Sequence, residues 1–155
     1  MSRMPGPCAG CAKHRLKATG RRSVVYTAGV WDLLHQGHLN VLRQSKKWGD
    51  ILVVGVVTDS GTEAYKGRRP IHDELTRLEV IRSLDIVDFA VLQDGTDPSD
   101  VLAVVRPQVM THGDDWDRLK EGHATLERLG VEFVRLPYTP GVSSSALRAM
   151  MQGGA

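Results

Sequence analysis

The sequence predicts an α/β protein with a doubly wound, parallel, five-stranded sheet in a single domain. The first observation is length, because 155 residues suit one domain of ordinary size. The second is alternation, since short runs rich in Val, Ile and Leu alternate with segments of helical periodicity. Strands that alternate with helices favour right-handed crossovers and hence a parallel sheet covered on both faces, a Rossmann-like arrangement.

The predicted elements follow one another without a repeat. Five apolar runs are the strand candidates, over 23–28, 51–57, 87–92, 109–111 and 131–134. Helical periodicity follows each of them, over 39–48, 75–84, 98–105, 119–129 and 146–151. Gly49 and Gly130 stand where helices end, and Pro98 stands in a first helical turn. The segment 61–70 is polar and contains glycine, so it is predicted to be a loop.

Composition excludes several classes of protein. There are 20 Lys and Arg against 18 Asp and Glu, and a net charge of +2 does not indicate a nucleic-acid or membrane partner. Hydrophobic residues make up 41% of the chain, which is enough for one core. With two cysteines and no apolar run of about 20 residues, we expect a cytoplasmic protein without a disulfide framework or membrane span.

The first 22 residues are predicted to be a flexible tail ahead of a domain over 23–155. Within the tail, Cys8, Cys11 and His14 have a spacing that supplies part of a zinc site. A structural zinc site normally takes four protein ligands, however, and no second Cys pair follows. We therefore interpret these three residues as incidental to an unstructured tail.

The strongest chemical signal lies where the first strand hands over to a helix. His35 and His38 flank Gly37 there, and their spacing places both imidazoles on one face of the first helical turn. A helix amino end attracts anions, and a glycine lets a phosphate approach the backbone. Two alternatives are a zinc site, for which no third ligand is obvious nearby, and a structural role. Phosphate chemistry is the interpretation we favour.

Several stretches together resemble a known family. They are Gly29–His38, the Glu74-x-x-Arg77 pair, Gly113-Asp114-Asp115-Trp116 and Thr139–Ser145. In this order they resemble the HxGH nucleotidyltransferase superfamily and, within it, the cytidylyltransferase family, above all its glycerol-3-phosphate type. The resemblance covers most of the chain, from about Val24 to about Met150. It implies a homodimer, and the small net charge indicates neither a nucleic-acid nor a membrane partner.

The resemblance assigns roles to particular residues. His35, His38 and Lys66 are implied to be catalytic, and Asp32 to lie next to a Mg²⁺ ion that accompanies the nucleotide. The implied nucleotide-binding residues are Thr27, Ala28, Gly29, Val30, Asp32, Gly37, Gly113, Asp115, Thr139, Gly141, Val142, Ser143 and Ser144. The implied substrate-binding residues are Arg77, Asp114 and Trp116.

Each of these roles has a structural alternative. Lys66 belongs to a basic cluster with Arg68 and Arg69 that solvation alone explains. Arg77 has the spacing of an ion pair with Glu74 or Asp73. Asp32, the two aspartates of the 113–116 stretch and the three serines at 143–145 are all residue types that cap helices.

The implied reaction joins a nucleoside triphosphate to a phosphorylated small alcohol such as glycerol 3-phosphate and releases pyrophosphate. CTP is favoured by the 113–116 stretch. ATP is the alternative, with a sugar phosphate or similar acceptor, because Tyr138 replaces the family's arginine, as in heptose-phosphate adenylyltransferases. Arg135 and Arg148 are possible substitutes for it, although neither aligns with it. A non-catalytic nucleotide-binding module of the same fold is a further alternative.

Overall fold

A computed structural model of the chain describes residues 20–113, 122–137 and 143–153. Its strands are β1 (Val24–Gly29), β2 (Ile51–Val57), β3 (Phe89–Gln93), β4 (Val109–Gly113) and β5 (Glu132–Leu136). Its helices are α1 (Gln36–Lys46), α2 (Asp59–Lys66), α3 (Glu74–Arg82), α4 (Ser99–Val105), α5 (His123–Leu129) and α6 (Ser144–Gln152). The predicted tail with its two cysteines lies outside the described residues, apart from its last three.

The five strands form one sheet in the order β3-β2-β1-β4-β5, and every neighbouring pair is parallel. The chain winds outward from β1 to β3 and then crosses back to β4 on the other side of β1. Strand order therefore reverses between β1 and β4, where sheets of this kind bind ligands beyond their carboxyl ends. The predicted fold class is confirmed.

The core lies on both faces of the sheet because neighbouring residues of β1 point in opposite directions. Val25 faces a cluster that includes Leu42 of α1 and Ile81 of α3. Tyr26 faces a second cluster that includes Leu102 of α4 and Leu126 of α5. None of the helices within the described ranges is long and apolar enough to cross a membrane.

One expectation about the elements is wrong. Much of the segment predicted as a loop is helix α2, which begins after Thr58 and ends with Lys66 as its last residue. The Thr58 hydroxyl accepts a hydrogen bond from the Gly61 N–H and so caps the helix. Gly61 is required by packing, since a Cβ there would lie 2.5 Å from the backbone nitrogen of Gly95. The glycine that favours a loop in the sequence is thus one that helix α2 requires for close packing.

Candidate active site

The turn between β1 and α1 is closed by its two histidines. His35 is the N-cap of α1, and its Nδ1 accepts a hydrogen bond from the Gly37 N–H at 3.0 Å. The Nδ1 of His38 accepts one from the His35 N–H at 3.4 Å. This is the reciprocal pattern of a capping box, with imidazoles in both side-chain positions. Since both Nδ1 atoms accept, the proton of each neutral ring is assigned to Nε2.

Burial keeps both imidazoles neutral. The His38 pKa falls to about 3, first because the ring is desolvated and then because of the charges of His35 and Lys66, with Asp32 opposing. Burial also lowers the pKa of His35. The rings stack with 3.8 Å between centroids, and the indole of Trp31 meets His38 edge-on at 5.4 Å. The turn therefore offers two neutral N–H donors at pH 7.

The backbone of this turn is strained at two residues. Trp31 and Leu33 have φ of +56° and +51°, in the left-handed region that residues other than glycine rarely adopt. Trp31 is 5% exposed, and its indole N–H donates to the Gly55 carbonyl oxygen at 2.9 Å. The hydrogen bond and the packing of the indole hold the strained conformation in place.

The histidines open into a cavity of about 350 Å³ at the carboxyl ends of the strands. Four basic side chains of the described part of the chain line it, Lys66, Arg68, Arg69 and Arg148, and the first turns of α1 and α6 reach it as well. Among the described residues that line it, Asp32 has the one carboxylate. The cavity is thus suited to a ligand with several negative charges.

Most of the residues predicted from the sequence converge on this cavity. Those that line it are Thr27, Ala28, Gly29, Val30, Asp32, His35, Gly37, His38, Lys66, Gly113, Ser143 and Ser144. Asp114, Asp115, Trp116, Thr139, Gly141 and Val142, and the substituted Tyr138, lie outside the described residues. Ser143 caps α6, as its residue type predicted, by accepting from the Ala146 N–H.

The two arginines after α2 are anchored differently. The Arg69 Nε lies 3.0 Å from the Glu63 carboxylate, and both side chains are exposed. Arg68 donates to the Ser145 hydroxyl at 3.2 Å, so it connects the segment after α2 to the first turn of α6. These two arginines and Lys66 are exposed, and all three line the cavity.

Arg77 does not occupy the expected place. It is 1% exposed and does not line the cavity. Its guanidinium donates to the carbonyl oxygens of His72, Val30 and Val57 and to the Asp59 carboxylate, at 2.6–3.0 Å. Arg77 is therefore not placed to contact a substrate phosphate in the cavity, contrary to the expectation. Arg77 ties the ends of β1 and β2 to the elements around them, and its ion-pair partner is neither of the two acids that spacing suggested.

Asp32 does not present a free carboxylate to a metal ion. Its two oxygens accept hydrogen bonds from the N–H groups of Ile71 and His72 and from the guanidinium of Arg148. These donors and the Arg148 charge lower the Asp32 pKa despite its burial. A carboxylate with three donors, one of them cationic, does not fit a role as a direct Mg²⁺ ligand. The described residues contain no cluster of three or more His, Cys, Asp or Glu suited to a metal ion.

The cavity also contains residues to which sequence reasoning gave no role. Gln93 ends β3, and its side chain accepts a hydrogen bond from the Tyr26 hydroxyl at 2.6 Å and donates to the Gly95 carbonyl oxygen. Thr96 follows it, and His112 lies near the end of β4. The only sequence signal for them is their position at the carboxyl end of a predicted strand.

Comparison with known proteins shows which family the chain resembles in sequence. The family model described as cytidylyltransferase-like matches residues 26–150. The bifunctional protein HldE of Desulfatibacillum aliphaticivorans is 34% identical over 92% of this chain, and that of Campylobacter curvus is 35% identical over 85%. The chain spans only 29% and 28% of the lengths of these two relatives.

Solved structures give the same result. A lipopolysaccharide core biosynthesis protein from Thermoplasma volcanium is 35% identical, with a TM-score of 0.63 over 76% of this chain and 97% of its own. A pantothenate synthetase from Thermus thermophilus is 16% identical, with a TM-score of 0.56 over 90% of this chain and 69% of its own, and shows likeness of fold alone. The chain therefore belongs to the cytidylyltransferase-like family of nucleotidyltransferases.

Proposed function

We propose that this protein transfers the nucleotidyl group of a nucleoside triphosphate to a phosphorylated sugar or small alcohol and releases pyrophosphate. The observation that carries the proposal is the pair of neutral imidazoles at the amino end of α1, whose Nε2–H groups belong to rings that line the cavity. Donors fixed in advance stabilise charge that develops on phosphoryl oxygens without the cost of reorganisation.

The reaction needs no covalent intermediate. An oxygen of the acceptor phosphate attacks the α-phosphorus, a new P–O bond forms, and the bond to the pyrophosphate oxygen breaks in line. The acceptor phosphate is already anionic near neutral pH, so no strong general base is required. Catalysis comes from three sources: the cavity positions the substrates, His35 and His38 donate hydrogen bonds, and Lys66 and the arginines provide positive charge.

Arg148 supports the binding of an anion here. The Nε of its guanidinium is buried and has no hydrogen-bond partner among the described residues, although the side chain lines the cavity. Because that atom is buried, what supports anion binding is the position of the Arg148 guanidinium at the cavity. Arg135, the other arginine considered as a substitute, is exposed and does not line the cavity.

For the substrates, we favour ATP and a sugar phosphate. The similarity to HldE proteins and to a protein of lipopolysaccharide core biosynthesis supports this choice, and Tyr138 in place of an arginine agrees with it. CTP with glycerol 3-phosphate is the second candidate, supported by the Gly113-Asp114-Asp115-Trp116 stretch.

We further propose that Mg²⁺ enters with the triphosphate, coordinated by its phosphate oxygens, since the described residues provide no free carboxylate at the cavity. Bound there, it would neutralise phosphate charge. Titration with EDTA tests the requirement, and recovery with added Mg²⁺ is the expected result.

We also expect a homodimer in the cytoplasm, and light scattering on the purified protein tests the oligomeric state.

Pyrophosphate release is the decisive measurement. Each of ATP, CTP, GTP and UTP is combined with heptose and hexose phosphates, glycerol 3-phosphate and other phosphorylated polyols. The proposal expects release above background with at least one pair, and loss of it in Lys66→Ala. The control is Lys47→Ala, an exposed lysine at the end of α1 that does not line the cavity. Nucleotide binding without release for any pair would instead support a non-catalytic module.

A further inference from the structure

Asp32 lies where three segments of the cavity wall meet. Its Oδ2 accepts from the Ile71 N–H at 2.8 Å and from Arg148 at 2.5 Å, and its Oδ1 accepts from the His72 N–H at 3.0 Å. Its side chain is 3% exposed, and that of Arg148 is 13% exposed. One carboxylate of the histidine turn thereby contacts both the connection between α2 and α3 and helix α6.

Polar contacts attach helix α6 to the rest of the protein. None of its residues is fully buried. The Ser144 hydroxyl donates to the Asp32 carbonyl oxygen at 2.6 Å, and Ser145 accepts from Arg68 at 3.2 Å. The Arg148–Asp32 ion pair is largely buried, whereas the Arg68–Ser145 hydrogen bond is exposed. A charge-assisted hydrogen bond in such a site is stronger than a neutral one, so it contributes most to the position of α6.

The connection between α2 and α3 depends on the same carboxylate. It carries Arg68 and Arg69 along the cavity wall and then passes Ile71 and His72, whose N–H groups both point at Asp32. Arg77 holds the His72 carbonyl oxygen from the other side at 3.0 Å. Residues 71 and 72, at the end of the connection, are thus held by Asp32 on their N–H groups and by Arg77 on the His72 carbonyl oxygen.

A metal ion at Asp32 would have to displace these contacts. The Arg148 charge cancels that of the carboxylate locally, so the pair provides little attraction for a divalent cation. Release of Arg148 would also weaken the attachment of α6 and leave a cation of the cavity wall without its fixed position. The donor set suits a carboxylate that organises protein segments.

We infer that Asp32 is a positioning residue, which fastens α6 and the α2–α3 connection to the histidine turn, and that it does not ligate the metal ion. The inference rests on the proposed function for the identity of the cavity as the nucleotide site. The fastening itself is a property of the free protein, so it can be tested without substrate.

Amide hydrogen exchange on the full chain is the first test. In Asp32→Asn and in Arg148→Gln, we expect the amides of α6 to exchange about ten- to a hundredfold faster, as loss of a hydrogen bond to a charged group implies. The amides of α4 should be unchanged. Glu79→Gln and Arg128→Gln are exposed controls of matching charge. Wild-type exchange of α6 in both variants would overturn the inference, and the second variant decides if the first does not fold.

Steady-state kinetics separates positioning from metal binding. In Asp32→Asn, we expect KM for the nucleotide to rise while the Mg²⁺ concentration for half-maximal rate stays at the wild-type value. KM for the nucleotide in the double variant Asp32→Asn/Arg148→Gln should be no higher than in the poorer single variant, because each single variant already loses the same Asp32–Arg148 contact. A large rise in the Mg²⁺ requirement together with normal exchange of α6 would identify a metal ligand instead. If the wild type releases no pyrophosphate, the proposed function fails, while the exchange experiment still decides the positioning role.

Discussion

The imidazole rings of His35 and His38 stack at an interplanar angle of 21°, and a backbone N–H occupies the Nδ1 of each. The backbone of α1 thus fixes both the orientation of the rings and the nitrogen that carries the proton. Two donors are set before any nucleotide arrives, and this arrangement leads to the first two predictions.

Replacement of His38 by alanine should reduce kcat by about 10²- to 10³-fold, since one donor to the transition state is lost. The fold should persist, and circular dichroism checks it. Pyrophosphate release at saturating substrate measures the loss. His123→Ala is the control, because that histidine is exposed on α5 and lies away from the cavity. Turnover of His38→Ala at the wild-type rate would refute the role of the ring as a donor.

The free energy of unfolding should fall as pH decreases from 6.5 towards 3. An unfolded histidine binds a proton near pH 6.5, whereas folded His38 does so only at about pH 3. The unfolded state therefore binds more protons in this window, and the loss of stability from His38 is about 2 kcal/mol at pH 5. Urea unfolding at pH 7.5 and pH 5 measures it.

His38→Gln supplies the comparison for this pH effect, since glutamine does not titrate. Its stability should change less between the two pH values. The carboxylates of Asp32 and Asp88 have lowered pKa values, so their effect belongs to pH below about 3.8. An identical pH dependence in the variant and the wild type would show that His38 titrates normally.

Arg77→Gln should destabilise the fold by about 3–5 kcal/mol, because the Asp59 carboxylate loses its buried partner and three carbonyl oxygens lose donors. Arg77→Lys should restore only part of the loss, since an ammonium group does not reproduce the guanidinium fork. Chemical denaturation gives the difference, with Arg128→Gln as an exposed control. A substrate-binding role alone would instead raise KM and leave stability unchanged.

Gly55→Ala should cost about 1–3 kcal/mol by overpacking. A Cβ at this position would lie 1.9 Å from the Tyr26 hydroxyl oxygen and 2.7 Å from its Cζ. Tyr26→Phe alone should cost about 1 kcal/mol, since it removes the hydrogen bond to Gln93. The double variant should lose less stability than the sum of the two single-variant losses, because the closest clashing atom, the Tyr26 hydroxyl oxygen, is absent. Thermal unfolding tests this, with Gly153→Ala at the exposed end of α6 as control.

The sheet could be predicted because its strands are local apolar runs, and their alternation with helices determines a parallel arrangement. Helix α2 could not be predicted in the same way. Its glycine packs against Gly95, a residue 34 positions further along the chain. A contact of that kind leaves no periodic pattern in the sequence.

Part of the candidate site could likewise be predicted from the sequence, and part could not. His35, Gly37 and His38 lie within four residues of sequence, so the local turn largely determines how they are arranged. Asp32 and Arg77 obtain their roles from partners between 5 and 116 positions away, which residue type alone does not identify. The resemblance implies a metal ion next to Asp32 and a substrate phosphate next to Arg77, whereas both side chains are hydrogen-bonded to the protein itself.

The left-handed residues of the histidine turn have a consequence for selection experiments. Trp31 and Leu33 each hold a conformation that costs about 1–2 kcal/mol in a residue with a side chain. A library screened only for thermostability should therefore enrich glycine at Leu33, where no indole hydrogen bond compensates the strain. Such clones should lose the fixed stacking of the imidazoles, so thermostability and turnover are expected to move in opposite directions at this one position.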